Sequence, residues 1–163
     1  LQILEATTYH ILETRPVHIR LVFQCSDNFI TREHYELMAV LKNLVNNAIK
    51  YTPNGGAITM TVEEKEGMAH LSVTDEGIGI SPEALPHIFD RFFRADESRT
   101  RQTGGSGLGL SIAKWIVERH GGWFDVVSRQ NVGTKMTIVL PTVPMPAAPD
   151  GSEAVETNHL EIR

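Results

Sequence analysis

The sequence predicts a two-layer α/β sandwich: one mixed, largely antiparallel sheet with its helices on one face. Three observations carry that expectation. Three segments repeat apolar residues at helical spacing, five shorter ones alternate apolar and polar residues, and the order along the chain is α, β, α, ββ, loop, α, ββ. Alternating strand residues can bury one side of the sheet against the helices and leave the other to water. At 163 residues the chain is long enough for one domain with its own hydrophobic core.

Residues 1–13 place Leu1, Leu4, Thr8, Ile11 and Leu12 at helical spacing, a connecting helix or stub that Arg15-Pro16 closes. From His18 to Cys25 the pattern alternates, with Val17, Ile19, Leu21, Phe23 and Cys25 on one side, as a strand requires. The next helix is capped by Asp27 or Thr31 and runs through VLKNLVNNAIKYT, residues 40–52. Its core face is Met38, Leu41, Leu44, Val45, Ala48 and Ile49, and Pro53-Asn54-Gly55-Gly56 ends it. Ala57 to Glu66 and Met68 to Asp75 form an antiparallel hairpin that turns at Glu66-Gly67.

Between Glu76 and Ser106 the periodicity fails, apart from a short helical piece around Pro82 to Phe92. A loop of that length inside a compact domain is usually functional or mobile. Leu108 to His120 is again helical, with Leu108, Ile112, Ile116 and Val117 apolar, and stops at Gly121-Gly122. Trp123 to Ser128 and Thr134 to Leu140 make a last strand pair around a turn at Asn131 to Gly133. Residues 142–163 are rich in Pro, Ala and Glu without periodicity, the composition of a disordered tail or linker. The domain limits are therefore 15–141, with 1–14 as a connection to a preceding unit.

Net charge is −5, which gives no reason to expect nucleic acid or an anionic membrane surface as a partner. One cysteine, Cys25, excludes an internal disulfide and fits a reducing, cytoplasmic compartment. No apolar run approaches the roughly 20 residues a membrane-spanning helix needs. The chain opens on Leu1 rather than Met, which points to a segment of a longer protein.

Four polar clusters carry the chemistry. On the second helix Asn43, Asn47 and Tyr51 are four apart and share one face, with Lys50 and Asn54 beside it. Two amides, an ammonium and a phenol in line can bind a cation, phosphates and a flat ring. By itself that stripe would make an ordinary solvated helix face. Downstream, DEGIGI (75–80) puts a carboxylate at a strand end before two glycines. Asp75 can accept from the exocyclic amine of a purine, while Gly77 and Gly79 let a ring approach the backbone. IFDRFFR (88–94) then sets phenylalanine anchors beside Arg91 and Arg94, the composition of a lid over phosphates. GGSGLGLS (104–111) opens a helix, where free N–H groups and the dipole favour anions. No Gly-Lys-Ser/Thr follows, so it is not a Walker A loop. Nor does a strand precede it, as a dinucleotide fingerprint requires.

In this order the four clusters resemble the ATP-binding catalytic domain of bacterial sensor histidine kinases. NLVNNAIKYT is similar to that family's N box, DEGIGI to its first Gly box, IFDRFFR to its F box and GGSGLGLS to its second Gly box. His120-Gly121-Gly122 and the stretch Gly133-Thr134 through Leu140-Pro141 are similar to its last helix and strand pair, so the resemblance covers roughly residues 15–141. It implies the Bergerat-type (GHKL) α/β sandwich with a long ATP lid, and ATP with Mg²⁺ as cofactors. By the same resemblance Asn47 would hold Mg²⁺ through its amide oxygen, supported by Asn43. Lys50 would reach phosphate, Tyr51 flank the nucleoside, and Asp75 bind the adenine amine in a pocket shaped by Gly77, Gly79 and Ile80. Arg94 would be the lid arginine, Gly105, Gly107, Leu108 and Gly109 would wrap the phosphates, and Thr134 would join the nucleotide pocket. Catalysis would fall to Asn43, Asn47, Lys50 and Arg94.

Related ATP hydrolases carry a water-activating Glu one turn before the metal-binding Asn. Here that position is Asn43, an amide that cannot act as a general base. The resemblance therefore implies a domain that presents ATP for γ-phosphoryl transfer to a histidine elsewhere. None of His10, His18, His34, His70, His87, His120 or His159 stands before an acidic residue with a downstream Arg/Lys-Thr-Pro, the acceptor pattern of the family. The acceptor would then lie on a separate dimerisation domain of the parent kinase, which passes phosphate to a response regulator. On its own this chain is expected to be an inactive monomer, the cytosolic part of a membrane-anchored parent. The alternatives are a nucleotide-sensing interaction module and a GHKL-type ATPase.

Overall fold

Residues 17–24, 34–95, 106–142 and 160–162 are described by the structure, a computed structural model. Strand β1 (His18–Gln24) leads to helix α1 (His34–Tyr51), then to the hairpin of β2 (Ala57–Lys65) and β3 (Met68–Asp75). Helix α2 (Gly109–Arg119), the pair β4 (Trp123–Arg129) and β5 (Gly133–Pro141), and a short β6 (Leu160–Ile162) follow. The strands lie in the order β4-β5-β3-β2-β1-β6. Among the described residues only β1 and β2 run parallel, as the α1 crossover between them requires; the other pairs are antiparallel.

Strand register turns the alternating residues into one apolar face. Met60, Val73, Met136 and Val126 stand in one rung, and Val62, Leu71, Ile138 and Phe124 in the next. Ala69 pairs with Leu140, and Ile19 with Ile58. Both helices pack on that face and on each other. Helix α1 contributes Leu37, Val40, Leu41, Leu44, Val45, Ala48 and Ile49, and α2 contributes Ala113, Ile116 and Val117, all buried. At one end the rung after Met60 and Val73 becomes polar: Ile58, Asp75, Thr134 and Ser128 lie side by side. The pleat that builds the core thus carries Asp75 to its rim.

Three expectations change at the level of elements. Only Leu85–His87 of the 82–92 piece is helical, as a single 3₁₀ turn. Pro86 has no N–H for the i to i−4 bond that an α-helix through this piece would need, so the segment is built of turns such as Asp90 N–H to His87 C=O at 2.9 Å. Helix α2 begins at Gly109, one residue later than its apolar pattern, because Leu108 is its N-cap. Within the 142–163 segment expected to lack structure, Thr142 N–H bonds Gly67 C=O at 2.9 Å and Leu160–Ile162 pairs with β1. The expected 1–13 helix, the caps Asp27 and Thr31, and Cys25 lie outside the described residues.

Candidate nucleotide site

Helix α1 supplies the first wall. Its opposite, apolar face is fixed in the core, so Asn43 and Asn47 are held at the half-buried flank. Asn47 Nδ2 donates to Asn43 Oδ1 at 3.4 Å, which leaves the Asn47 carbonyl oxygen as the donor atom for a cation. The Asn43 amide lies against the first residue of α2: a Cβ on Gly109 would stand 2.5 Å from Asn43 Nδ2. Glycine at this position lets the amide stripe of one helix meet the N-terminal turn of the other without the Asn43 side chain moving aside. At the end of α1, Lys50 Nζ sits 5.1 Å from the Tyr51 ring centroid, and Tyr51 is half exposed. Thr52, which is buried, closes the helix by donating to Ala48 C=O at 2.6 Å.

The second wall is the loop after β3. Gly77 N–H donates to Asp75 Oδ1 at 2.9 Å, and Ile78 N–H donates to Tyr51 C=O at 3.2 Å, which ties the loop to the end of α1. Burial pushes the Asp75 carboxyl up from the ordinary aspartate range, and the backbone N–H groups of Gly77 and Thr134 partly offset it. On its other side the loop is stitched to the β4–β5 hairpin. Asn131 N–H donates to Ile78 C=O at 2.7 Å and Ile80 N–H to Ser128 Oγ at 2.9 Å. Gly79 has φ +66°, and a Cβ there would stand 2.1 Å from the Arg129 carbonyl oxygen, so no other residue fits.

The F-box segment anchors less uniformly than three phenylalanines suggest. Phe89 packs on Phe124 at 5.0 Å and lies under Lys114, Phe93 stacks on His87 at 5.6 Å, and Phe92 is exposed. Phe92 has a left-handed backbone, φ +64°, and its N–H donates to Gly107 C=O at 3.0 Å. That bond joins the two ends of the segment between the F box and α2. Arg91 and Arg94 are exposed beside it. Gly104 and Gly105 lie outside the described residues.

Of the expected site residues, the structure therefore brings Asn43, Asn47 and Gly109 together at one end. Asp75, Gly77, Gly79, Ile80 and Thr134 gather at the other, with Tyr51 between. Among the described residues no three His, Cys, Asp or Glu side chains cluster as a metal site. Ser128, Asn131 and Thr52 were not singled out from the sequence. Ser128 could be found only by counting register across three strands to Asp75.

A model of the family described as histidine kinase-, DNA gyrase B- and HSP90-like ATPase matches residues 33–144. The chain belongs to this family. It is 40% identical over 134 residues to the sensor histidine kinase WalK of Bacillus subtilis, covering 78% of this chain and 22% of WalK. A solved mycobacterial sensor histidine kinase, MprB, superposes with a TM-score of 0.71 at 30% identity, covering 88% of this chain and 96% of that one. The catalytic domain of the histidine kinase ThkA gives a TM-score of 0.73 at 28% identity, with 86% and 88% covered. Fold and family are thus those of a histidine kinase catalytic domain, which uses ATP. The chain spans only 22% and 31% of the length of the curated relatives WalK and SenX3. Among the described residues no helix is long and apolar enough to cross a membrane.

Proposed function

We propose that this chain presents Mg²⁺-bound ATP for transfer of the γ-phosphoryl group to a histidine on a separate dimerisation domain of its parent kinase. The observation that carries the reading is the Asn43 amide seated on Gly109. It joins the amide stripe of α1 to the N-terminal turn of α2, which sets amides suited to a cation beside a helix end suited to an anion. The donor set fits Mg²⁺ brought in by nucleotide: neutral amide oxygens supply ligands without charge, and phosphates supply the charge. When bound, Mg²⁺ would neutralise the β- and γ-phosphate oxygens.

Each residue then has a distinct task. Asn47 offers its amide oxygen to the cation, and Asn43 orients it through the 3.4 Å hydrogen bond. Asp75 accepts from the adenine amine through the oxygen not engaged by Gly77, beside Ile80 and Thr134. Lys50 and Arg94 contact phosphate, Tyr51 flanks the nucleoside, and the glycines at 105, 107 and 109 with Leu108 surround the phosphate chain. Asn43 cannot take a proton from water, so the site holds ATP without hydrolysing it. Residues 15–141 form the catalytic unit, with 1–14 as its connection and 142–163 as a linker or tail that returns to the sheet edge at Leu160–Ile162. The parent is a membrane-anchored sensor with this domain in the cytosol, and it passes phosphate onward to a response regulator.

The test mixes the chain, γ-labelled ATP and a separately produced acceptor-helix domain from the parent. Label should reach the acceptor histidine only when both proteins and Mg²⁺ are present. Absence of ATP binding at millimolar nucleotide and Mg²⁺ would refute the reading.

A further inference from the structure

Ser128 is the third residue of the polar rung that starts with Asp75 and Thr134. A hydroxyl has one proton to give and two lone pairs to receive. The Ser128 Oγ accepts from Ile80 N–H at 2.9 Å and donates to Gly133 C=O at 3.1 Å. Thr134 Oγ1 lies 2.9 Å from the same oxygen. Either hydroxyl of that pair can donate, but only with the Ser128 proton on Gly133 and the Thr134 proton on Ser128 are all three contacts hydrogen-bonded at once. The three bonds then complete the capacity of Ser128. Thr134 turns its only side-chain proton toward β4 and keeps lone pairs alone for any ligand group that reaches it.

Thr134 stands directly across from Asp75 and is buried. Asp75 is itself an acceptor, with Gly77 N–H on one oxygen. We infer that Ser128 is a positioning residue that sets base selectivity. By holding the Thr134 proton it makes this end of the pocket acceptor-only, which suits the 6-amino group of adenine and opposes the 6-oxo group of guanine or hypoxanthine. Ser128 touches no nucleotide in this scheme and acts through Thr134, and through Ile80 by keeping the loop in place. The inference rests on the ATP-site reading above.

The experiment compares ATP, GTP and ITP binding to the full 163-residue chain by competition. Ser128→Ala frees the Thr134 hydroxyl to rotate and donate, so the preference for ATP over GTP and ITP should narrow by roughly tenfold, about one hydrogen bond. Much of that change should come from gained affinity for the 6-oxo nucleotides. Ser128→Thr should restore the preference. Adding Thr134→Val to Ser128→Ala should abolish the gain, because no rotatable hydroxyl remains. If Ser128→Ala fails to fold, Ser128→Cys replaces it, as a thiol is a poor partner for all three neighbours. Equal weakening of all three nucleotides would mean that Ser128 only braces the loop, and would overturn the inference. Narrowing that persists in the double variant would do the same. A parent chain that binds ATP but shows no change on Ser128→Ala overturns this inference alone, whereas a parent chain that binds none of the three overturns the ATP reading with it.

Discussion

At Asp75 the fold and the proposed ligand make opposite demands. Burial raises the folded-state pKa, so the ionised carboxylate is penalised in the native protein. The sign follows from linkage: the contribution of Asp75 to stability is full below its unfolded pKa and is lost as pH rises through the higher folded value. Asp75→Asn should therefore melt no lower than the parent at neutral pH, and the gap in their melting temperatures should close as pH falls through that elevated range. Its ATP affinity should nevertheless drop roughly 10- to 100-fold, the range for a hydrogen bond to a charged acceptor. GTP should lose less, since the new amide offers a donor. Equal losses for both nucleotides in a titration would count against the adenine role. Asn47→Ala makes the complementary case for the cation. It should remove the Mg²⁺-dependent part of ATP binding and change stability by no more than about 0.5 kcal/mol, as the side chain is outside the core. Phosphoryl transfer at the parental rate would refute the metal assignment.

Between elements, the decisive contact is the crossing of α1 and α2 at Asn43 and Gly109. Gly109→Ala should favour the helix by up to about 1 kcal/mol on propensity while forcing the Asn43 amide out of place. ATP affinity is expected to fall about tenfold with an unchanged or raised melting temperature, a combination that calorimetry of both properties can detect. Leu44→Ala, by contrast, empties a position that is 2% exposed and should cost about 2–5 kcal/mol in urea unfolding. Helix α1, the hairpin and the last strand pair were legible because each has a strong period over enough residues. The Asn stripe and Asp75 were legible because they interrupt those periods at an edge. The turn at Leu85–His87 was not, since its apolar spacing mimics a helix that Pro86 forbids. Ser128 was hidden for another reason: its meaning depends on which strand lies beside which, and pairing is not a local property of sequence.

For the molecule as a whole, the amide at Asn43 predicts a domain that holds ATP and waits. Phosphate release by the chain alone should stay near the rate of an ATP blank over hours, and sustained turnover in a continuous phosphate assay would favour a hydrolase instead. Sedimentation of the chain with and without ATP should give a monomer, because dimerisation is proposed to belong to another part of the parent. The sheet adds a constraint of its own. Asp75, Thr134 and Ser128 continue the same alternation that lines up Val73, Met136 and Val126 in the core. A slip of β3 by one residue would turn every one of its side chains to the opposite face. It would put Asp75 in water and Leu71 and Val73 with it. Misregistered chains are thereby marked twice, blind to nucleotide and sticky to one another. ATP added during refolding should then select correctly paired sheets, acting as a proofreading ligand for the strand order that creates its own pocket.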